Sequence, residues 1–208
     1  MTKVLVLGAS GQIAAHAIDM LAQQGAELTL FARNPRRIGH VPAGARVMQG
    51  DVTDRAALAE AVRGQDVVYA NLAGDIDQQA RVLVEVMDAE GVRRLIFVTA
   101  LGIYDEVPGA FGKWNQSMIG GALPAYAAAA EAIEASDLDY TILRPAWLSD
   151  GDEIDYETTE RDEPFKGTTV SRKSVAALVA DLVAHPDTHL RASLGVDRPG
   201  TEGDQPVW

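Results

Sequence analysis

The chain has 208 residues, 47% hydrophobic and 23% charged, enough for one α/β domain with a substantial core and short for a nucleotide domain plus a full second one. Its formal charge of −12 at pH 7 sets the summed field against nucleic acid and anionic membranes as partners, and the absence of cysteine excludes disulfides, zinc–thiolate sites and thiol catalysis. No run approaches the roughly 18 apolar residues of a membrane span, and the first residues read as a strand, so a cytoplasmic, reducing location is expected.

Residues 3–14 pass from an apolar strand through a glycine turn into a helix whose apolar positions recur at helical spacing. Gly8, Gly11 and Ala14 fall three apart: a side chain is missing where the backbone turns, missing again where it approaches a ligand, and minimal where helix meets strand. The amides around Ser10, Gln12 and Ile13 then lie at a helix start, where unpaired N–H groups stabilise an anion without a basic side chain. This pattern predicts a cradle for a dinucleotide pyrophosphate.

Glu27–Ala32 reads as a second strand, broken by the Arg33-Asn34-Pro35-Arg36-Arg37 turn; Ala45–Gln49 is a third, after which Thr53 and Asp54 cap a helix through Val62 with an acidic first turn. Asp66–Ala70 is the fourth strand, residues 76–90 an amphipathic helix stopped by Gly91, and Arg94–Thr99 the fifth strand. From Gly102 to Ala125 periodicity is lost, which predicts a long functional loop, with room for a short helix, holding Lys113, Trp114 and Asn115. Tyr126–Ala135 is helical, Asp139–Leu143 a sixth strand, 149–168 an acidic irregular excursion, and Ser171 caps a helix through Ala184 before a short strand at Ala192–Gly195. Such alternation predicts a Rossmann-type doubly wound parallel sheet in a single domain, its ligand across the carboxyl ends of the strands, with residues from about 146 to 208 forming a small substrate-side cap.

The turn after the second strand offers Arg33, Arg36 and Arg37 and no carboxylate, and a guanidinium matches a 2′-phosphate in a planar fork, so NADP(H) is expected over NAD(H). Asp51 and Val52 are candidates for the adenine, with a helix-entry cap as the other reading of Asp51. Leu72 and Ala73 after strand four, and Thr99 and Ala100 after strand five, are small or apolar exits that let backbone approach a flat ligand.

Taken with Gly50-Asp51-Val52, Val98–Tyr104 and Leu138–Pro145, the Gly-Ala-Ser-Gly-Gln-Ile segment resembles an atypical short-chain dehydrogenase/reductase of the NAD(P)H-binding, NmrA-like branch, over essentially the whole chain. The resemblance implies a Rossmann fold, places Pro145 and Ala146 against the nicotinamide, and implies either NADPH-dependent reduction or cofactor binding without turnover. Active members of the wider family use a serine after strand five and a Tyr-x-x-x-Lys dyad. Here the serine position holds Ala100, the tyrosine position Ala122 and the lysine position Tyr126, and the dyad occurs nowhere. A tyrosine lacking its lysine keeps a pKa near 10 and passes protons poorly at neutral pH.

Hydride transfer to a stacked flavin or quinone needs less, since orientation supplies most of the catalysis and solvent supplies the proton. Tyr126 and Tyr104 remain the candidate catalytic side chains, and Lys113, Trp114 and Trp147 the candidate walls for a small-molecule acceptor. The leading expectation is an NADPH-dependent oxidoreductase acting on such an acceptor; the alternative is a redox sensor reporting the cofactor ratio to a protein partner. No metal site is expected: Pro186 interrupts the His185/His189 pair, and Ile154 and Asp155 spoil the calcium-loop likeness of residues 150–155.

Overall fold

The computed structural model describes residues 1–208. In chain order its elements are β1 (Lys3–Leu7), α1 (Gln12–Gln23), β2 (Glu27–Ala32), β3 (Arg46–Gln49), α2 (Arg55–Val62), β4 (Val67–Ala70), α3 (Ile76–Glu90), β5 (Arg94–Val98), α4 (Gly109–Ile119), α5 (Leu123–Glu134), β6 (Asp139–Pro145), β7 (Trp147–Ser149), β8 (Glu157–Thr159), β9 (Thr169–Ser171), α6 (Arg172–Ala184) and β10 (Ala192–Asp197). Eight strands form one sheet in the order β3-β2-β1-β4-β5-β6-β10-β8, parallel throughout except for β8, which runs antiparallel to β10.

The inner strands are continuous apolar runs because both their faces are covered. Val4 and Val6 pack into a core with α1 and α6, whereas Leu5 and Leu7 point to the opposite core with α2, α3 and α5; Ile96 and Leu95 alternate in the same way on β5. Each fully buried aliphatic side chain contributes about 1.5–3 kcal/mol, against about 1 kcal/mol at most for an exposed pair such as Arg46–Glu60, so these two cores hold the fold.

Most element boundaries follow the sequence expectation within a residue, and the departures have tertiary causes. The α2 helix has no acidic first turn; Asp54 alone caps it, accepting from the amides of Ala56 and Ala57. The predicted loop from Gly102 to Ala125 contains the eleven-residue helix α4, so Lys113, Trp114 and Asn115 sit on a helix. Its glycines argue against a helix locally, and burial of Phe111 and Asn115 overrides that preference. The α5 helix starts at Leu123, with Pro124 in its first turn.

Beyond Ala146 the chain divides. The α6 helix packs on α1, and β10 lies beside β6, so both complete the main body. The rest comprises the small parallel pair β7 and β9, and the acidic excursion, which is irregular apart from β8. Short strands of this kind have no periodicity long enough to detect.

Asp197 ties the excursion to the sheet. It is completely buried, its Oδ2 accepts the Gly167 amide at 2.7 Å, and its Oδ1 has no partner. Burial pushes the carboxyl up to about 6 from an ordinary 3.8. A raised folded-state value means the native protein holds this proton more tightly than the unfolded chain, so the contribution is intact below about pH 4 and is lost as pH rises to about 6. An Asp197→Asn variant is therefore expected to gain stability relative to wild type between pH 4 and 6, by on the order of 2–3 kcal/mol, and to hold a constant difference above. Urea unfolding of both proteins across that range checks it; a difference independent of pH rejects it.

Candidate functional site

Strand order reverses between β1 and β4, and the chain opens a cleft of about 290 Å³ over the carboxyl ends of β1 to β4. The glycine loop forms its floor. Gly8 and Ala9 donate to the Phe31 carbonyl at 3.1 and 3.2 Å, Gly11 donates to the Gly8 carbonyl at 2.9 Å, and no side chain caps α1. The first amides of α1 are thereby left for a ligand.

Glycine is required here by contact as well as by dihedral. At φ +73°, Gly8 carries a conformation that side chains rarely adopt, and a Cβ there would stand 2.0 Å from the Asn71 carbonyl oxygen; one on Gly11 would stand 2.3 Å from Asn71 Nδ2. Asn71, held by its amide to the Leu7 carbonyl at 3.0 Å, thus closes the cradle from β4. Sequence reasoning gave Asn71 no role of its own. The cradle fits a diphosphate: with the Gly11 amide turned to the Gly8 carbonyl, the backbone N–H groups of Ser10, Gln12 and Ile13 stay free to donate, Ser10 exposed in the lining and Ile13 buried behind it.

The wall beyond β2 carries Arg33, Asn34 and Arg37; Arg36 is exposed outside the lining. Asn34 accepts from the Arg36 amide at 3.2 Å and sets the turn. On the far side stand Asp51, Val52, Leu72 and Ala73, together with Gln79, which the sequence reading did not single out. Asp51 is not the α2 cap. Its Oδ1 accepts from the Thr53 amide and hydroxyl at 2.9 and 2.7 Å; these bonds hold the carboxyl below its ordinary value against partial burial, with Arg33 assisting. Of the expected cofactor residues, Gly8, Ser10, Gly11, Arg33, Asp51, Val52, Leu72 and Ala73 therefore share one cleft.

Thr99, Ala100, Pro145 and Ala146 lie outside that lining, at the ends of β5 and β6 further along the same sheet edge. The Thr99 amide and hydroxyl both donate to the Leu143 carbonyl, at 2.7 and 3.0 Å, so its hydroxyl fastens the two strand exits together. Trp147 packs edge-on against Trp114 at 4.7 Å between ring centroids, Trp114 stacks on Phe111, and the Trp147 indole donates to Asn115 Oδ1 at 3.0 Å. The tryptophans make one aromatic block on α4 instead of two separate walls. Lys113 is exposed and lines a different recess with Gly102 and Asp105.

Neither tyrosine is tuned as an acid. Tyr126 is half-buried against the α3–α5 core, and burial raises its pKa. Tyr104 donates to Glu134 Oε1 at 2.7 Å, its ring lies under the Arg144 and Arg161 guanidiniums at 5.2 and 4.3 Å, and burial, aided by Glu134, pushes the phenol up to about 12. Beneath it runs a pair invisible to motif reading: Arg144 Nη1 donates to Glu106 Oε1 at 2.7 Å, with 0% and 4% of the two side chains exposed.

The NAD(P)H-binding family matches residues 8–186. A Rossmann-fold NAD(P)-binding family protein from Shigella flexneri is 50% identical, with a TM-score of 0.87 over 100% of this chain and 99% of that one. A short-chain dehydrogenase/reductase from Veillonella parvula, solved in complex with NADP, is 29% identical, with a TM-score of 0.91 over the same shares. A (4-alkanoyl-5-oxo-2,5-dihydrofuran-3-yl)methyl phosphate reductase from Streptomyces griseus is 31% identical over 100 residues, 48% of this chain; the match spans about a third of that enzyme, 35%. The cradle, the strand order and these likenesses agree: the chain belongs to the NAD(P)H-binding family, within the atypical short-chain dehydrogenase/reductase branch.

Proposed function

We propose that the protein is an NADPH-dependent oxidoreductase that passes hydride to a flat acceptor of the flavin or quinone type. The observation that carries the cofactor choice is the pair of guanidiniums, Arg33 and Arg37, lining the cleft where an NAD-selective chain would place a carboxylate. The NADP bound by the Veillonella protein and the reductase activity named for the Streptomyces enzyme support it.

Bound NADPH supplies the hydride, leaving NADP⁺ and reduced acceptor, with the accompanying proton drawn from solvent. The chain's part is to bind and orient. The amides of Ser10, Gln12 and Ile13 hold the diphosphate above Gly8 and Gly11, Asp51 and Val52 hold the adenine, Leu72 and Ala73 the ribose side, and Thr99, Ala100, Pro145 and Ala146 seat the nicotinamide. Trp114, Trp147 and Lys113 border the acceptor with Tyr104 and Tyr126, which wall the site and do not relay protons. Within the segment 146–208, the part we assign to a substrate-side cap is β7, β9 and the excursion between them.

The bonded Tyr104 hydroxyl and the absence of a lysine partner also favour a second reading, a sensor that holds cofactor without turnover. Dissociation constants for NADPH and NADH, followed by absorbance of bound NADPH with a panel of quinones and flavins, separate the two. NADPH-favouring binding with oxidation above blank is expected; tight binding with no oxidation establishes the sensor, and equal or NADH-favouring binding overturns the cofactor assignment. Arg33→Ser should weaken NADPH by roughly tenfold or more while sparing NADH.

A further inference from the structure

One polar group in the cleft wall has no protein partner to explain it. Gln79 sits on the first turn of α3, only 7% exposed, and lines the cleft beside Leu72 and Ala73. Its Nε2 donates to the Ala73 carbonyl at 3.3 Å, which fixes which end of the amide is which, and leaves Oε1 buried with no donor. A buried acceptor of this kind is normally satisfied, so one that lines a ligand-sized cleft calls for an explanation. The Nε2 bond is at the long end for an N–H···O contact, so turning the carboxamide off Ala73 sacrifices little.

The neighbouring Asp51 uses Oδ1 for Thr53 and keeps Oδ2 free of protein donors. With the carboxamide turned off Ala73, the wall offers two acceptors, a carboxylate and a carboxamide oxygen, and one amide donor. An exocyclic amine with two hydrogens next to an unprotonated ring nitrogen complements that set, and glutamine pairs with N6 and N7 of adenine through both ends of its amide.

We propose that Gln79 is an adenine-specificity residue, accepting from the N6 amine through Oε1 and donating to N7 through Nε2, with Asp51 taking the second amine hydrogen. The inference rests on the reading of this cleft as the seat of a dinucleotide's adenosine half. It differs from that reading by predicting rejection of a purine that carries a carbonyl at C6, whose oxygen would face two acceptors.

The test compares affinity for NADPH, for its hypoxanthine analogue and for its 7-deaza-adenine analogue by calorimetry, with thermal shift as a second readout. Wild type should bind NADPH at least roughly tenfold more tightly than the hypoxanthine analogue, and several-fold more tightly than the 7-deaza analogue. Gln79→Met should weaken NADPH more than it weakens the hypoxanthine analogue, so that the preference shrinks to what Asp51 alone sustains. An unchanged preference in Gln79→Met overturns the proposal. The 7-deaza comparison uses wild type only and survives a variant that does not fold; no loss there overturns it too. If wild type binds none of the three, the reading of the cleft as a dinucleotide seat fails; if it binds all three alike, that reading stands and the contacts of Gln79 and Asp51 to the base fail.

Discussion

Replacing Arg144 with methionine is expected to destabilise the protein by about 3–5 kcal/mol, measured as a fall in the urea midpoint with an unchanged slope. The guanidinium is wholly buried and every arm is occupied: Nη1 donates to Glu106, Nε to Ser193 Oγ at 3.1 Å, and Nη2 to the carbonyls of Glu160 and Ser193 at 3.1 and 3.0 Å. Methionine fills much of the space but leaves Glu106 charged, buried and unpaired, which costs far more than the pair's net worth. Adding Glu106→Gln should recover part of the loss, and that non-additivity distinguishes a coupled pair from two unrelated packing defects. The damage should also reach the site. Glu106 accepts from the amides of Gly102 at 3.0 Å and Tyr104 at 3.0 Å, so its two oxygens shape the exit of β5. If the single variant unfolds within about 1 kcal/mol of wild type, the pair does not brace the fold as described.

Replacing Gly11 with valine is expected to lower NADPH affinity by roughly a hundredfold or more while the apo protein still folds. Gly11 has φ −76° and ψ 155°, a conformation any side chain accepts, so no backbone strain is added. A Cβ there, however, stands 2.3 Å from Asn71 Nδ2 and 3.2 Å from the Gly8 carbonyl, and the branched side chain covers the amides that would receive the diphosphate. Gly8→Ala is the contrasting case: the left-handed φ and the backbone oxygen at 2.0 Å leave nothing flexible to yield, so folding itself suffers. Retention of NADPH binding within a few-fold in folded Gly11→Val would show that the diphosphate lies elsewhere.

Local chemistry was enough to read the cradle, because a strand, three small residues at fixed spacing and a helix start lie within twelve consecutive positions, and the forces that shape them act over that distance. The same holds for the buried strands, whose unbroken apolar runs require helices on both faces, and for Arg33, Asp51 and Val52, which stand in the turns directly after the ends of β2 and β3. The extent of α4 was not legible because Gly109 and Gly112 depress helix propensity; only packing of Phe111 and Asn115 under the β5 exit outweighs that cost.

Sequence by itself therefore determined the order of elements, the parallel sheet, the glycine turn into α1 and the basic turn after β2, all products of short-range periodicity and turn chemistry. Only the tertiary structure decided that Asn71 closes the cradle from another strand and that Arg144 meets Glu106 across 38 residues. It also decided that Gln79 lines the cleft from α3 and that the tryptophans pack on one another. The reason is physical: each of these depends on which distant segments the sheet order brings together, and on desolvation, which no single stretch of chain experiences until its neighbours have closed over it.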